Sequence, residues 1–380
     1  MFKALMDVTP FAAVFYLLSF IVALSVIVFV HEFGHFIVGR WCGVKVEAFS
    51  IGFGRELFGF TDKKGTRWKI CLWPLGGYVR FEGDANAASK PDLSSERVHT
   101  PTSFHGKPVH QRAAIVVAGP LANFILAIAI FWAGFALIGE PYFEPVADDV
   151  RAGSAAQKAG IKPGDRIVSV GEQKIISFED IRRAVWLHPG EELEIGLERS
   201  GQGFALKVVP DTVEEPDNFG GKMKLGVLGI VNDVKSNEPL SRTYSPLAAF
   251  SRSVEQTQYV IVTTFKFLGK IVLGDQSLKQ IGGGISIAKG AGDAAKSGVL
   301  SFALFLGLLS VSIGIINLFP VPMLDGGHLV FYAVEAVRGK PLGPGAQEWG
   351  YRIGLSFVAM LMLVGLLNDS GRFINHFFGT

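Results

Sequence analysis

Two stretches of this 380-residue chain, Ala113 to Ile138 and Val299 to Leu324, contain no charged residue. Each is long enough to cross a bilayer, whose hydrocarbon is about 30 Å thick and takes about 20 helical residues to span. Backbone polar groups inside lipid must be satisfied within the segment, so runs of this kind fold as helices. A third run, Phe11 to Val30, and a shorter fourth, Ile353 to Leu367 between Arg352 and Asp369, complete a set of four. The first is too long for the apolar core of a signal peptide and lacks a small-x-small cleavage site, so it is expected to be retained. With 49% hydrophobic and 18% charged residues, the composition is that of a membrane protein. A net charge of +2 with no basic stripe gives no case for nucleic acid. Cys42 and Cys71 are too few for a disulfide framework and too far apart for a CxxC metal pair.

Basic residues orient the spans. The segment from Arg40 to Arg112 carries twelve Lys and Arg, whereas the first ten residues carry Lys3 alone and the tail after Leu367 carries Arg372 alone. By the positive-inside rule, residues 40–112 and 338–352 face the cytoplasm and both termini lie outside. A fifth stretch, Leu247 to Val272, has Leu247, Phe250, Val254, Ile261, Phe265 and Leu268 on one side and Arg252, Gln256, Lys266 and Lys270 on the other. That pattern suits a helix lying on the membrane surface.

Two further regions carry strand signals. Residues 44–81 contain "VKVEAFSIGFG" and "RWKICLWPLGGYVRF", rich in β-branched and aromatic residues and separated by the polar turn "TDKKGT". They are expected to form β-hairpins against the cytoplasmic membrane face, with Trp68 and Trp73 as interfacial anchors. Between the second and third spans, "GSAAQKAGIKPGDRIVSVGEQKI", "SFEDIRRAV", "ELEIGLE" and "FALKVV" read as a small mixed α/β domain. Ser177 and Asp180 have capping-box spacing, and "SGQG" at 200–203 is a hairpin turn. With its AGIKPGD stretch, this insert resembles a PDZ domain, which implies a site for a peptide or partner protein. Residues 211–235 read as a linker plus one further strand.

The fold class expected is therefore a polytopic α-helical membrane protein, with four transmembrane helices, a membrane-associated β-hairpin region and an inserted α/β PDZ domain. The expected organisation places the first helix in 1–39, the hairpin region in 40–112 and the second helix in 113–139. The PDZ domain follows in 140–210, a linker with the interfacial helix in 211–298, the third transmembrane segment in 299–337, and the fourth helix with the tail in 338–380.

The first span carries the chemistry. Its end reads "VIVFVHEFGHFIVGR", so His31 and His35 stand four apart on one helix face. Imidazoles so placed can share one zinc, and the intervening Glu32 can serve as general base. The plainer reading is a helix end whose polar side chains reach toward water. It leaves unexplained why three ionisable groups, each costing about 2.5–3.5 kcal/mol at membrane depth, occur together. A third ligand is needed, preferably a carboxylate. Asp325 in "NLFPVPMLDGGH" follows the third apolar run directly, after Pro320 and Pro322 have broken the helix. His328 competes with it and ranks second, because it begins the next segment. Both ends meet on one membrane side only if a single crossing separates them, which agrees with a surface position for Leu247 to Val272.

HEFGH, "AGPLANF" at 118–124, the PDZ-like insert, "GISIAKGAG" and "NLFPVPMLDGGH", in that order, resemble the site-2 protease (M50-type) family, specifically its RseP-like intramembrane zinc metalloproteases. The likeness runs over nearly the whole chain. It implies a single catalytic Zn2+ on His31, His35 and Asp325, Glu32 as general base, an outside N-terminus, and a membrane-associated β-loop around "GGYVRF". It also implies single-span transmembrane substrates, such as a pre-trimmed anti-sigma factor or remnant signal peptides, and a place in the bacterial inner membrane. Departures are a single PDZ domain, Gly284 where proline is common and Ser312 where Asn is frequent. An edge around Gly77, Tyr78, Val79, Arg80 and Phe81 could take substrate as an added strand. Asn123 and Asn317 could hydrogen-bond substrate backbone or a neighbouring helix. A catalytically silent scaffold working through its PDZ domain is the alternative; the presence of both Glu32 and Asp325 argues against it.

Overall fold

The structure is a computed structural model that describes residues 10–84, 100–216, 222–232, 240–273 and 282–378. Four helices are long and apolar enough to cross a membrane: Ala13–Trp41, Val109–Leu137, Val299–Leu318 and Gly345–Gly371. The chain forms two compact units, one of residues 1–132, 250–264 and 282–369, the other of 133–249, 265–281 and 370–380.

In the first unit, helix α1 (Pro10–Trp41) carries the HEFGH stretch in its second half. At 1.5 Å per residue, His31 lies about 27 Å along the axis from Ala13, close to the far side of the hydrocarbon. Val14, Leu17, Leu18 and Val22 are each at least half exposed, a face that only lipid makes inexpensive.

Strands β1 (Val46–Thr61) and β2 (Arg67–Phe81) pair antiparallel. Residues Ala48, Phe49, Ser50 and Ile51 pair on one side with Arg80, Val79, Tyr78 and Gly77, and on the other with Arg67, Trp68, Lys69 and Ile70. Both strands thus fold back on themselves into four rungs, with 77–81 at one edge and 56–61 at the other. Gly76 makes one bend at φ +113°, a conformation closed to bulkier residues. Phe49 is fully buried, stacks on Trp68 with centroids 4.5 Å apart and meets Phe36 of α1 edge-on. Trp68 is therefore part of the packing and not an interfacial anchor, and its indole N–H donates to Asp62 Oδ2 at 3.1 Å. Trp73 is 63% exposed and keeps the position expected of it. Burial alone would raise the Asp62 carboxyl, but Trp68, the Thr66 N–H and Arg40 hold it well below the usual carboxylate range.

Helix α2 (Val109–Leu137) contains Pro120, which removes one helical hydrogen bond at mid-length. Beyond the β-sheet unit, α5 (Pro246–Val272) covers the amphipathic stretch. Helix α6 (Gly284–Lys296) packs on α1, where the sequence suggests only a linker. Gly292 lies against the Tyr16 ring, and Tyr16 Oη donates to Asp293 Oδ1 at 2.6 Å. The α6 N-terminus is held by Asp369, which accepts from the N–H groups of Gly283, Ile285 and Ser286 and from Ser286 Oγ. Helix α7 (Val299–Leu318) stops six residues short of Leu324, because Pro320 and Pro322 cannot continue it and Met323 takes a positive φ. A separate helix, α8 (Asp325–Arg338), follows, and then α9 (Pro344–Phe378), longer at both ends than the apolar run within it. The expected third segment, 299–337, is thus two helices around a break, and Asp325 opens the second of them.

In the second unit, β5 (Arg166–Val170), β6 (Gln173–Lys174), β7 (Leu193–Arg199) and β8 (Gln202–Val208) form one sheet in the order β6-β5-β7-β8. Short β3 (Glu140–Tyr142) and β4 (Asp149–Val150) precede it, with α3 (Ala155–Lys158) and α4 (Phe178–Trp186) packed alongside. The Ser177–Asp180 capping box starts α4 with both of its hydrogen bonds made. Ile167, Ile195, Leu197, Val185 and Val208 are essentially inaccessible. Where a linker and one strand are expected, β9 (Asp211–Pro216), β10 (Lys222–Val227) and β11 (Ile230–Val231) follow, then β12 (Leu240–Arg242). Strand β11 pairs with β4, and Leu228 joins the same core, so this module extends past residue 210.

Arg199 grips the fully buried Asp165 through two hydrogen bonds, at 2.6 and 2.7 Å. Burial alone would raise that carboxyl; Arg199 and the Lys162 N–H prevail and lower it. Because the folded value lies below the unfolded one, the stabilisation is complete above about pH 4 and is lost as pH falls through the folded value. Asp165→Asn is expected to cost about 2 kcal/mol at neutral pH, less than a fully buried pair because Arg199 keeps 32% of its side chain exposed. Hydrogen exchange of β5 and β7 in the full-length protein reads both effects: earlier opening in the variant, and an acid-dependent opening confined to the wild type.

Candidate metal centre

Three side chains from two separate helices converge inside the first unit. His31 and His35 lie on one face of α1, and Asp325 opens α8, where the helix N-terminus favours a carboxylate. His31 Nε2 is 3.1 Å from Asp325 Oδ2, His35 Nε2 is 3.6 Å from Asp325 Oδ1, and the two Nε2 atoms are 3.2 Å apart. Tetrahedral coordination with bonds of about 2.0–2.1 Å sets ligand atoms about 3.3–3.4 Å apart, so the three groups fit one zinc. Asp325 Oδ2 is buried and takes part in no well-formed hydrogen bond, as expected of an oxygen that faces a cation. Among the described residues, this is the one cluster of His, Cys, Asp and Glu with that property.

The rings are tightly seated. A side chain on Gly119 of α2 would collide with His35 Nε2 and come within 3.0 Å of His31 Cε1. Gly119→Ala should therefore introduce about 1–3 kcal/mol of overpacking strain and lower zinc occupancy, read by metal analysis of the purified variant. His35 Nδ1 bonds the Ile115 carbonyl at 2.8 Å, and His31 Nδ1 lies 3.2 Å from Asn123 Nδ2. Helix α8 is itself anchored to α2: Arg112 pairs with Glu335 at 2.5 Å and lies over the Tyr332 ring at 4.9 Å.

A cavity of about 290 Å³ opens on this cluster, lined among others by Glu32, Gly77, Tyr78, Val79, Phe81 and Asn317. The edge rung of the sheet thus runs beside the metal centre, and the Val79 N–H donates to the Glu32 carboxylate. Two residues expected at a substrate surface lie elsewhere. Arg80 alternates to the other face of the strand and pairs with Glu47 at 3.0 Å. Asn123 is fully buried behind His31, away from the cavity lining. His328, the competing ligand, sits among Phe331, Tyr332 and Tyr351. Gly119 went unnoticed in the sequence; its spacing of four from Asn123 places both on the face of α2 that meets the histidines.

The profile of peptidase family M50 matches residues 19–361. A protein of Agrobacterium fabrum named as a zinc metalloprotease is 48% identical over 366 residues, covering 94% of this chain and 96% of its own. One of the same designation from Rhizobium meliloti is 45% identical, covering 95% and 96%. The regulator of sigma-E protease RseP of Salmonella typhimurium is 35% identical, covering 94% of this chain and 98% of its own. That last alignment runs over 452 positions, so the Salmonella protein carries inserted segments that this chain lacks.

Proposed function

We propose that this chain, which belongs to peptidase family M50, is an intramembrane endopeptidase that cuts within the membrane-spanning segments of single-span proteins. It is a zinc metalloprotease, in keeping with the relatives it matches over almost its full length. The observation that carries the reading is the convergence of His31, His35 and Asp325 at the cavity, beside Glu32 and on helices long and apolar enough to span a bilayer.

His31, His35 and Asp325 would hold the zinc, which when bound polarises a carbonyl and acidifies water. Glu32 takes a proton from the attacking water and returns it to the nitrogen of the leaving amine. A membrane helix hides its carbonyls in internal hydrogen bonds, so substrate has to be drawn out before it can react. The rung formed by Gly77, Tyr78, Val79 and Phe81 receives it as an extended strand, and Asn317 hydrogen-bonds its backbone. The distribution of basic residues puts both termini and the PDZ-like insert on the periplasmic side of the bacterial inner membrane, with the active site toward the cytoplasm. Pre-trimmed anti-sigma factors and remnant signal peptides are substrates of the right form.

Reconstitution of the purified protein with a single-span substrate in liposomes tests this reading. One cut inside the apolar segment, abolished by a zinc chelator, is expected. Cleavage confined to the soluble part of the substrate would overturn it.

A further inference from the structure

The two histidines differ in what holds the ring nitrogen turned away from the metal centre. His35 Nδ1 lies against a carbonyl oxygen, that of Ile115. A carbonyl only accepts, so Nδ1 carries the proton and Nε2 keeps its lone pair for a metal. His31 Nδ1 instead faces the amide of Asn123, with Nδ2 at 3.2 Å. An amide nitrogen only donates, and in that orientation the His31 proton sits on Nε2, directed at Asp325 Oδ2 3.1 Å away. That tautomer cannot ligate zinc through Nε2. Meanwhile Asn123 Oδ1 is buried and makes no hydrogen bond.

Half a turn of the amide exchanges two atoms of nearly equal size and sets Oδ1 against Nδ1. His31 then carries its proton on Nδ1, like His35, and both Nε2 atoms become donors of electron pairs. Resting on the assignment of His31 as a zinc ligand, we infer that Asn123 is a positioning residue that selects this tautomer and fixes the ring plane. An outer partner accepting the distal N–H is the usual support of a metal-bound imidazole. The amide is well fixed for the task. Ser310 Oγ of α7 donates to the Asn123 carbonyl at 2.9 Å, inside the helix bundle, and Gly119 one turn earlier lets the rings approach. Asparagine also suits both states of the site: its nitrogen serves the metal-free tautomer and its oxygen the metal-bound one.

The test is the zinc affinity of the full-length protein in detergent, measured by chelator competition. Asn123→Ala and the near-isosteric Asn123→Leu are expected to raise the zinc Kd about 10- to 100-fold. Asn123→Asp, which can only accept when ionised, is expected to stay within about threefold of wild type. A role in helix packing alone predicts the opposite order, since a buried carboxylate is worse tolerated than alanine. An Asn123→Asp protein that loses zinc as badly as the apolar variants overturns the inference, as does an Asn123→Leu protein that binds like wild type. If neither apolar variant folds, the aspartate variant decides alone, with a loss beyond about tenfold counting against the inference. His31→Ala, run alongside, separates the two readings. Wild-type affinity in that variant removes His31 as a ligand, whereas loss there with none in Asn123→Leu removes only the role of Asn123.

Discussion

Glu32→Gln is expected to abolish proteolysis and leave zinc in place. The side chain lines the same cavity as His31 and His35, one residue from the first of them, yet its carboxylate is absent from the set of converging ligand atoms. Its partner is the Val79 N–H on the edge rung. A glutamine keeps the shape and can still accept from Val79, so the strand and the helix should stay as they are. What it cannot do is take up a proton, and loss of a general base typically lowers rate by about 10²–10⁴. Metal analysis beside a cleavage assay separates the two properties. Residual cleavage within a few-fold of wild type would remove Glu32 from the role of base; loss of zinc would instead place it among the ligands.

Much of this arrangement is legible in the sequence because the constraints are local. An apolar run without charges has one stable form in lipid, which is why the helices at 109–137 and 299–318 stand where the composition puts them. HExxH spacing places two imidazoles on one face of any helix. The break at Pro320 and Pro322 is also written locally, although not the fact that Asp325 opens a new helix after it. What escapes are features whose cause lies far along the chain. Helix α6 is made of Gly, Ala and Ser with little period of its own. Its start is capped by Asp369, 83 residues from Ser286, and one of its faces is fixed by Tyr16. Trp68 and Trp73 look alike as aromatic residues in a β-rich segment, but five residues of strand turn them to opposite faces, one into the packing and one outward. Asn123 shows the same limit at the site. Read alone it is a polar residue on an apolar span, and only the approach of α1, 92 residues earlier in sequence, gives it His31 as its neighbour.

Asp325→Asn and His328→Ala should have opposite consequences for the metal. Both residues line the cavity, three positions apart on α8, so position alone does not choose between them. Geometry does. The Asp325 oxygens are 3.1 and 3.6 Å from the two histidine Nε2 atoms, and one of those oxygens is buried without a well-formed hydrogen bond. His328 is one turn further on, its ring about 6 Å from those of Phe331, Tyr332 and Tyr351. Asp325→Asn keeps the volume and the helix start but replaces an anionic ligand with a neutral amide, a far poorer partner for zinc. The expected result is a zinc Kd raised about 100-fold and cleavage lost in proportion to occupancy, so that excess zinc restores part of the activity. His328→Ala leaves all three converging groups untouched and should hold zinc as wild type does, whatever it does to packing around Tyr351. Metal affinity retained in Asp325→Asn and lost in His328→Ala would exchange the two assignments, because α8 could reach His31 and His35 with its imidazole only by turning the Asp325 carboxylate away.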